Sequence, residues 1–210
     1  MGLISLLFSN PVIFFIVAVI LLYSIILHEV AHGWIAHLFG DNTALYSGRL
    51  TLNPISHLDP IGTLMLFLAG FGWAKPVPVN YSSLSSRRFG LFSVALAGCA
   101  TNILIAIIAL FLFQFDFINT NPILSVVLPI VARINIMLGA FNLIPIPPLD
   151  GSKVLMSFLS YRAQERLSML EPYGFFMLIL LLFTGLLNPV ITFMLFLVQG
   201  LISALLGLFR

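Results

Sequence analysis

Charge is the first thing this sequence lacks. Only 8% of its 210 residues are Asp, Glu, Lys or Arg, against about 25% in an ordinary soluble domain. So few charges cannot cover a water-facing surface, which makes lipid the expected solvent. The net charge of +2 is too small to suggest a nucleic-acid partner. Cysteine is nearly absent. Cys99 stands alone in an apolar stretch, so no internal disulfide is possible and no redox compartment is implied. The first residues carry no basic n-region and no small-residue cleavage site, and Leu6 stands where a myristoylation signal needs Ser or Thr. A removable signal peptide and an acylated N-terminus are therefore not expected.

What the sequence has instead is 60% hydrophobic residues in long runs. A spanning helix needs about 20 apolar residues. Runs of that length extend from Pro11 to about Phe39, from Phe89 to Phe115 and from Pro122 to Ile144, where Pro145, Pro147 and Pro148 end the last. The stretch from Tyr173 to Phe209 is too long for one span and is broken by Gly185, Asn188 and Pro189, which predicts a helical hairpin. Ile61 to Trp73 is short and rich in Gly, and suits a re-entrant or tilted segment. Leu50 and Leu52 alternate with Arg49, Thr51 and Asn53, which predicts a short strand beside the membrane. The expected fold is an all-α polytopic bundle of about five to six membrane segments with a short membrane-associated β element, forming one domain over residues 1–210.

Basic residues set the expected orientation. Arg49, Lys75, Arg87 and Arg88 fall in one connection, and Lys153, Arg162 and Arg166 in another, while the connection near Gln114 to Asn121 has none. The first two are expected in the cytoplasm and the third outside, with an external N-terminus and Arg210 on the cytoplasmic side. A multi-pass protein of the cell (inner) membrane is expected.

His28-Glu29-Val30-Ala31-His32 carries the sharpest chemistry. Residues four apart lie on one helical face, about 6 Å between Cβ atoms. Two imidazoles so placed can reach one metal, and the Glu between them can act as a base toward water. A carboxylate inside an apolar helix is costly and seldom idle. A catalytic zinc needs a third protein ligand. Asp150 is the expected one, because it follows the proline-rich stop at the same membrane depth as His28. Asp59 is the competitor. His37 is wrongly spaced for a three-histidine site, and His57 reads as a loop or strand-edge residue. Interhelical hydrogen bonding is the simplest use of Asn102, Asn135 and Asn142, and it is the favoured one for Asn135. Arg133 is an intramembrane charge with no evident partner.

His28-Glu29-x-x-His32 in an apolar helix, with Asn142-x-x-Pro145 and Asp150-Gly151 downstream, resembles the site-2 protease family of intramembrane metalloproteases. Gly48 to Pro54, His57 to Thr63, and Ala97-Gly98-x-x-x-Asn102 resemble its short bacterial branch, which has no inserted domain; that branch usually has Pro where Cys99 stands. The resemblance implies one Zn2+ per chain held by His28, His32 and Asp150, Glu29 as general base, and substrate or oxyanion contact at Asn142 and also at Asn102. Membrane-embedded substrates cut near the cytoplasmic side are expected, with the strand near Leu50 gripping the unwound segment by edge pairing. A metal transporter and an inactive membrane scaffold are the alternatives. The single His/Glu cluster speaks against the first, and the intact motif against the second. Substrate, regulation and oligomeric state are not legible.

Overall fold

The computed structural model describes residues 3–69 and 72–208. Gly70 and Phe71, within the expected re-entrant segment, and Arg210, used for orientation, lie outside the described residues. Three long apolar helices form the centre: α2 (Pro11–Leu38), α5 (Arg87–Leu112) and α7 (Leu124–Asn142). A short α1 (Leu3–Ser9) leads directly into α2. The expected runs and these helices agree to within a few residues at each end. Pro129 sits inside α7. Asn10 caps α2, its side chain accepting from the Ile13 N–H at 3.2 Å, with Pro11 at the first helical position.

The C-terminal stretch is a hairpin of α10 (Glu171–Phe183) and α11 (Asn188–Gly207), turned at Gly185 with φ +73°. α9 (Tyr161–Ser168) leads into α10 with a bend of 64°. Among the described residues, four helices are long and apolar enough to cross a membrane, five if the bent α9–α10 pair counts as one span. The chain is therefore built as a multi-pass membrane protein. Ala106 and Ala140 let α5 and α7 meet closely, with Val198 and Ile202 of α11 packed over them.

α3 (Thr43–Tyr46) is a single turn, and α4 (Pro60–Ala69) has only ten residues. At 1.5 Å per residue α4 reaches about 15 Å, half a bilayer core. The chain then returns: the Trp73 carbonyl lies 2.1 Å from where a Cβ on Gly62 would stand, and the Lys75 N–H bonds the His57 carbonyl at 2.8 Å.

The expected β element is absent among the described residues. Leu50 and Leu52 do not share an environment: Leu50 packs against Gly33 of α2, while Leu52 is exposed. Asn53 accepts from the Ile55 N–H at 3.1 Å and starts a 3-10 turn (Pro54–Ser56). The neighbouring extended segment 74–80 has Pro76 and Pro78, which have no N–H for a ladder. The Arg49 guanidinium reaches it instead, donating to the Lys75 carbonyl at 2.7 Å and the Pro76 carbonyl at 3.3 Å. A side chain does there what a paired strand would have done.

Candidate metal centre

His28, Glu29 and His32 lie on the second half of α2. Asp150 opens α8 (Asp150–Phe158), where the helix N-terminus favours its negative charge. The proline-rich approach to it is tightly turned rather than extended. The Ile146 N–H bonds the Ile144 carbonyl at 2.8 Å, and the Leu149 N–H bonds the Ile146 carbonyl at 2.9 Å.

His28 Nε2 and His32 Nε2 stand 3.1 Å apart, and each lies 3.0 Å from Asp150 Oδ2. The protons on the far side of each ring can be placed. The Val94 carbonyl can only accept, so the His32 Nδ1–H donates to it at 2.6 Å. Asn102 Nδ2 donates to the Ser24 carbonyl at 3.3 Å, which turns Asn102 Oδ1 toward His28; the His28 Nδ1–H donates to it at 2.6 Å. Both Nε2 atoms therefore face inward with lone pairs. Three acceptors converge with no proton to share, an arrangement that calls for a cation. Tetrahedral bonds of 2.0–2.1 Å would set ligand atoms about 3.3 Å apart, close to the triangle present. The donor set of two neutral imidazoles and a carboxylate suits zinc.

Gly98 of α5 makes the centre possible. A Cβ there would lie 2.5 Å from His28 Cε1, His28 Nε2 and His32 Nε2, so only glycine lets α5 pass the two rings. Behind His28 a polar relay ties three helices together. Asn102 Nδ2 also donates to Asn135 Oδ1 at 2.8 Å, and Asn135 Nδ2 donates to Ser24 Oγ at 2.9 Å. Both amide hydrogens of Asn102 are thus engaged, and its side chain is wholly buried. It has no donor left for a substrate oxyanion, in contrast to the expectation from sequence. Asn142 differs: it is half-buried at the end of α7, and its one described bond runs to its own helix, to the Leu138 carbonyl at 3.1 Å.

Glu29 Oε2 accepts the Val77 N–H at 2.9 Å. The segment carrying Val77 is anchored on both sides. Arg49 holds Lys75 and Pro76, and Asp41 Oδ2 accepts the Asn80 N–H at 2.7 Å. Burial alone would raise the Asp41 carboxyl, but hydrogen bonds from Thr43, Asn80 and Ser83 outweigh it and hold it below the usual carboxylate range. Gly33 gives this segment room, since a Cβ there would stand 2.9 Å from Val77 Cγ1.

The other candidates lie elsewhere. Asp59 Oδ1 accepts the Gly62 N–H at 2.7 Å and caps α4. His37 pairs with Asn42, and the buried His57 Nε2 donates to the Thr51 carbonyl at 2.8 Å. Sequence reasoning missed the Val94 carbonyl and the Val77 N–H, since backbone groups leave no residue signal. It missed the role of Ser24 as well, although a hydroxyl one turn before His28 in an apolar helix could have drawn notice.

Residues 118–184 match the model of "Peptidase family M50". YwhC of Bacillus subtilis, which is named as a zinc metalloprotease, is 38% identical over 173 residues, 79% of each chain. Rip2 of Mycolicibacterium smegmatis, named likewise, is 30% identical over 80% of this chain and 66% of its own. The solved site-2 protease of Methanocaldococcus jannaschii aligns with a TM-score of 0.45 and 20% identity, over 94% of this chain and 83% of that one. With 38% of the aligned residues identical to YwhC over most of both chains, this protein belongs to peptidase family M50, the site-2 protease family of zinc metalloproteases.

Proposed function

We propose that the chain hydrolyses peptide bonds in or near transmembrane segments at the centre formed by His28, His32 and Asp150, with Glu29 as general base. The observation that carries this is the convergence of three acceptor atoms at 3.0–3.1 Å with no proton between them, one residue from a half-buried carboxylate. Zinc bound there supplies Lewis acidity toward a carbonyl and lowers the pKa of water. Each residue has a task. The Val94 carbonyl and Asn102 fix the tautomers of His32 and His28, so both Nε2 atoms remain ligands. The Val77 N–H holds Glu29 Oε2 and leaves Oε1 to take the proton of the attacking water and return it to the leaving amine. Asn142 keeps an amide hydrogen for the oxyanion. The clustering of Lys and Arg in the connections at this end of the bundle supports a position on the cytoplasmic face of the cell (inner) membrane.

Substrates are single helices that unwind easily. An unwound backbone in hydrocarbon leaves polar groups unpaired at several kcal/mol each, so Gly, Pro or Asn near the cut lowers the barrier. The extended backbone nearest Glu29 is segment 74–80, and the unwound stretch lies beside Val77 rather than Leu50. Glu29→Gln tests the reading. The expected result is full zinc content, retained substrate binding and turnover lowered by about 10²–10⁴-fold; wild-type turnover by this variant refutes it.

A further inference from the structure

α2 and α7 leave a cleft of about 380 Å³ between them. Its α2 wall is a stripe of Ile13, Val17 and Leu21, spaced four apart, and its α7 wall includes Ile134 and Leu138. One charged group stands in this apolar surface, the exposed side chain of Arg133. Arg133 lies nine residues from either end of α7 (Leu124–Asn142), which is about 14 Å at 1.5 Å per residue, the middle of a hydrocarbon core of about 30 Å. Its side chain can lean toward the start of α7, but from that depth the guanidinium stops short of the phosphate layer. The ion pairs among the described residues belong to His28, His32 and Asp150, so no described carboxylate of this chain neutralises it.

An unpaired cation at mid-depth is costly and marks a binding surface. Acyl chains fill an apolar cleft but bring no charge to that depth. A transmembrane helix with a carboxylate halfway along it does. The cleft also points at the metal centre: on α2 the stripe from Leu21 continues to His28 two turns on, and on α7 Leu138 is followed one turn later by Asn142. A helix seated here is delivered to the hydrolytic end of the bundle.

We propose that this cleft docks the substrate's transmembrane helix and that Arg133 is the counter-ion of an Asp or Glu near the middle of that helix. This rests on the proteolytic reading above and adds a selection rule to it. Such a helix is carried in lipid more readily beside Arg133 than alone, so the pair contributes to both recognition and register.

The test is binding of two probes to zinc-loaded Glu29→Gln protein in phosphatidylcholine nanodiscs. The probes are single-span Leu/Ala peptides, identical except for a central Asp or Asn. The Asp peptide is expected to bind at least about tenfold tighter. Arg133→Met should erase the difference, Arg133→Lys should keep part of it, and Arg133→Asp should transfer the preference to a peptide with central Lys. Zinc content of each variant reports folding; if Arg133→Met fails to fold, competition between the two peptides on the Arg133 protein still decides. Equal binding of the two peptides overturns the proposal, as does a preference that survives Arg133→Met. Loss of the preference when phosphatidylglycerol is added also overturns it, because the counter-ion is then a lipid headgroup. Cleavage by the wild-type protein, read separately, distinguishes the two claims. Substrates cut without regard to a central acid leave proteolysis standing and sink the docking rule. Asp-selective binding with no cleavage of any substrate does the reverse.

Discussion

The metal-bearing end of α2, α5 and α7 and the hairpin of α10 and α11 are both apolar helices packed in one bundle, but they are held by different forces. The first buries Ser24, His28, His32, Asn102 and Asn135, each in a hydrogen bond of defined length and direction. The second buries Gly174, Leu178, Val198 and Ile202, with no polar side chain among its buried residues. In lipid, apolar contact gives little preference for one register over another, whereas an unsatisfied polar group at that depth is costly. The relay therefore fixes geometry at the metal, and the hairpin supplies packing that tolerates change.

Substitutions can break that contrast in order of expected effect. Gly98→Ala is the most severe, because a methyl group would overlap both imidazoles at 2.5 Å. Zinc content measured by mass spectrometry should fall well below one per chain, and activity by about 10²-fold or more. Glu29→Gln should cut turnover by about 10²–10⁴-fold with zinc unchanged, which separates chemistry from metal binding. Asn102→Ala frees His28 Nδ1 and should weaken zinc affinity by about 10–100-fold in chelator competition. Asn135→Ala lies one bond further out and should cost about 0.6–2 kcal/mol in unfolding measurements, with a smaller loss of zinc affinity than Asn102→Ala. At the other extreme, Leu201→Ala on the exposed face of α11 should stay within about 0.5 kcal/mol and leave zinc untouched. A Leu201 effect as large as that of Asn135 would erase the distinction between the two regions.

The same contrast explains what could be read in the sequence. Long apolar runs gave the helices directly, and the Gly185–Pro189 break gave the hairpin, because spans answer to hydrophobic length and to turn residues. His28, Glu29 and His32 were legible because their spacing is local. Asp150 was reachable through its membrane depth. The role of Asn102 was not, since only packing reveals that His28, Ser24 and Asn135 take all its polar atoms. The strand near Leu50 failed for a related reason. A five-residue alternation says nothing about whether a partner with free N–H groups lies alongside, and Pro76 and Pro78 remove two of them. Gly98 was visible as a residue and invisible as a cause, because the clash it avoids is with side chains about seventy positions away.

X-ray absorption at the zinc edge of purified Glu29→Gln protein tests the metal centre most directly. The expected first shell is nitrogen and oxygen at about 2.0–2.1 Å with the outer-shell signature of two imidazoles, lost in parallel in His28→Ala, His32→Ala and Asp150→Ala. Sulfur scattering at about 2.3 Å, which would point to Cys99, or zinc that survives removal of Asp150 with its shell unchanged, would contradict the centre described here.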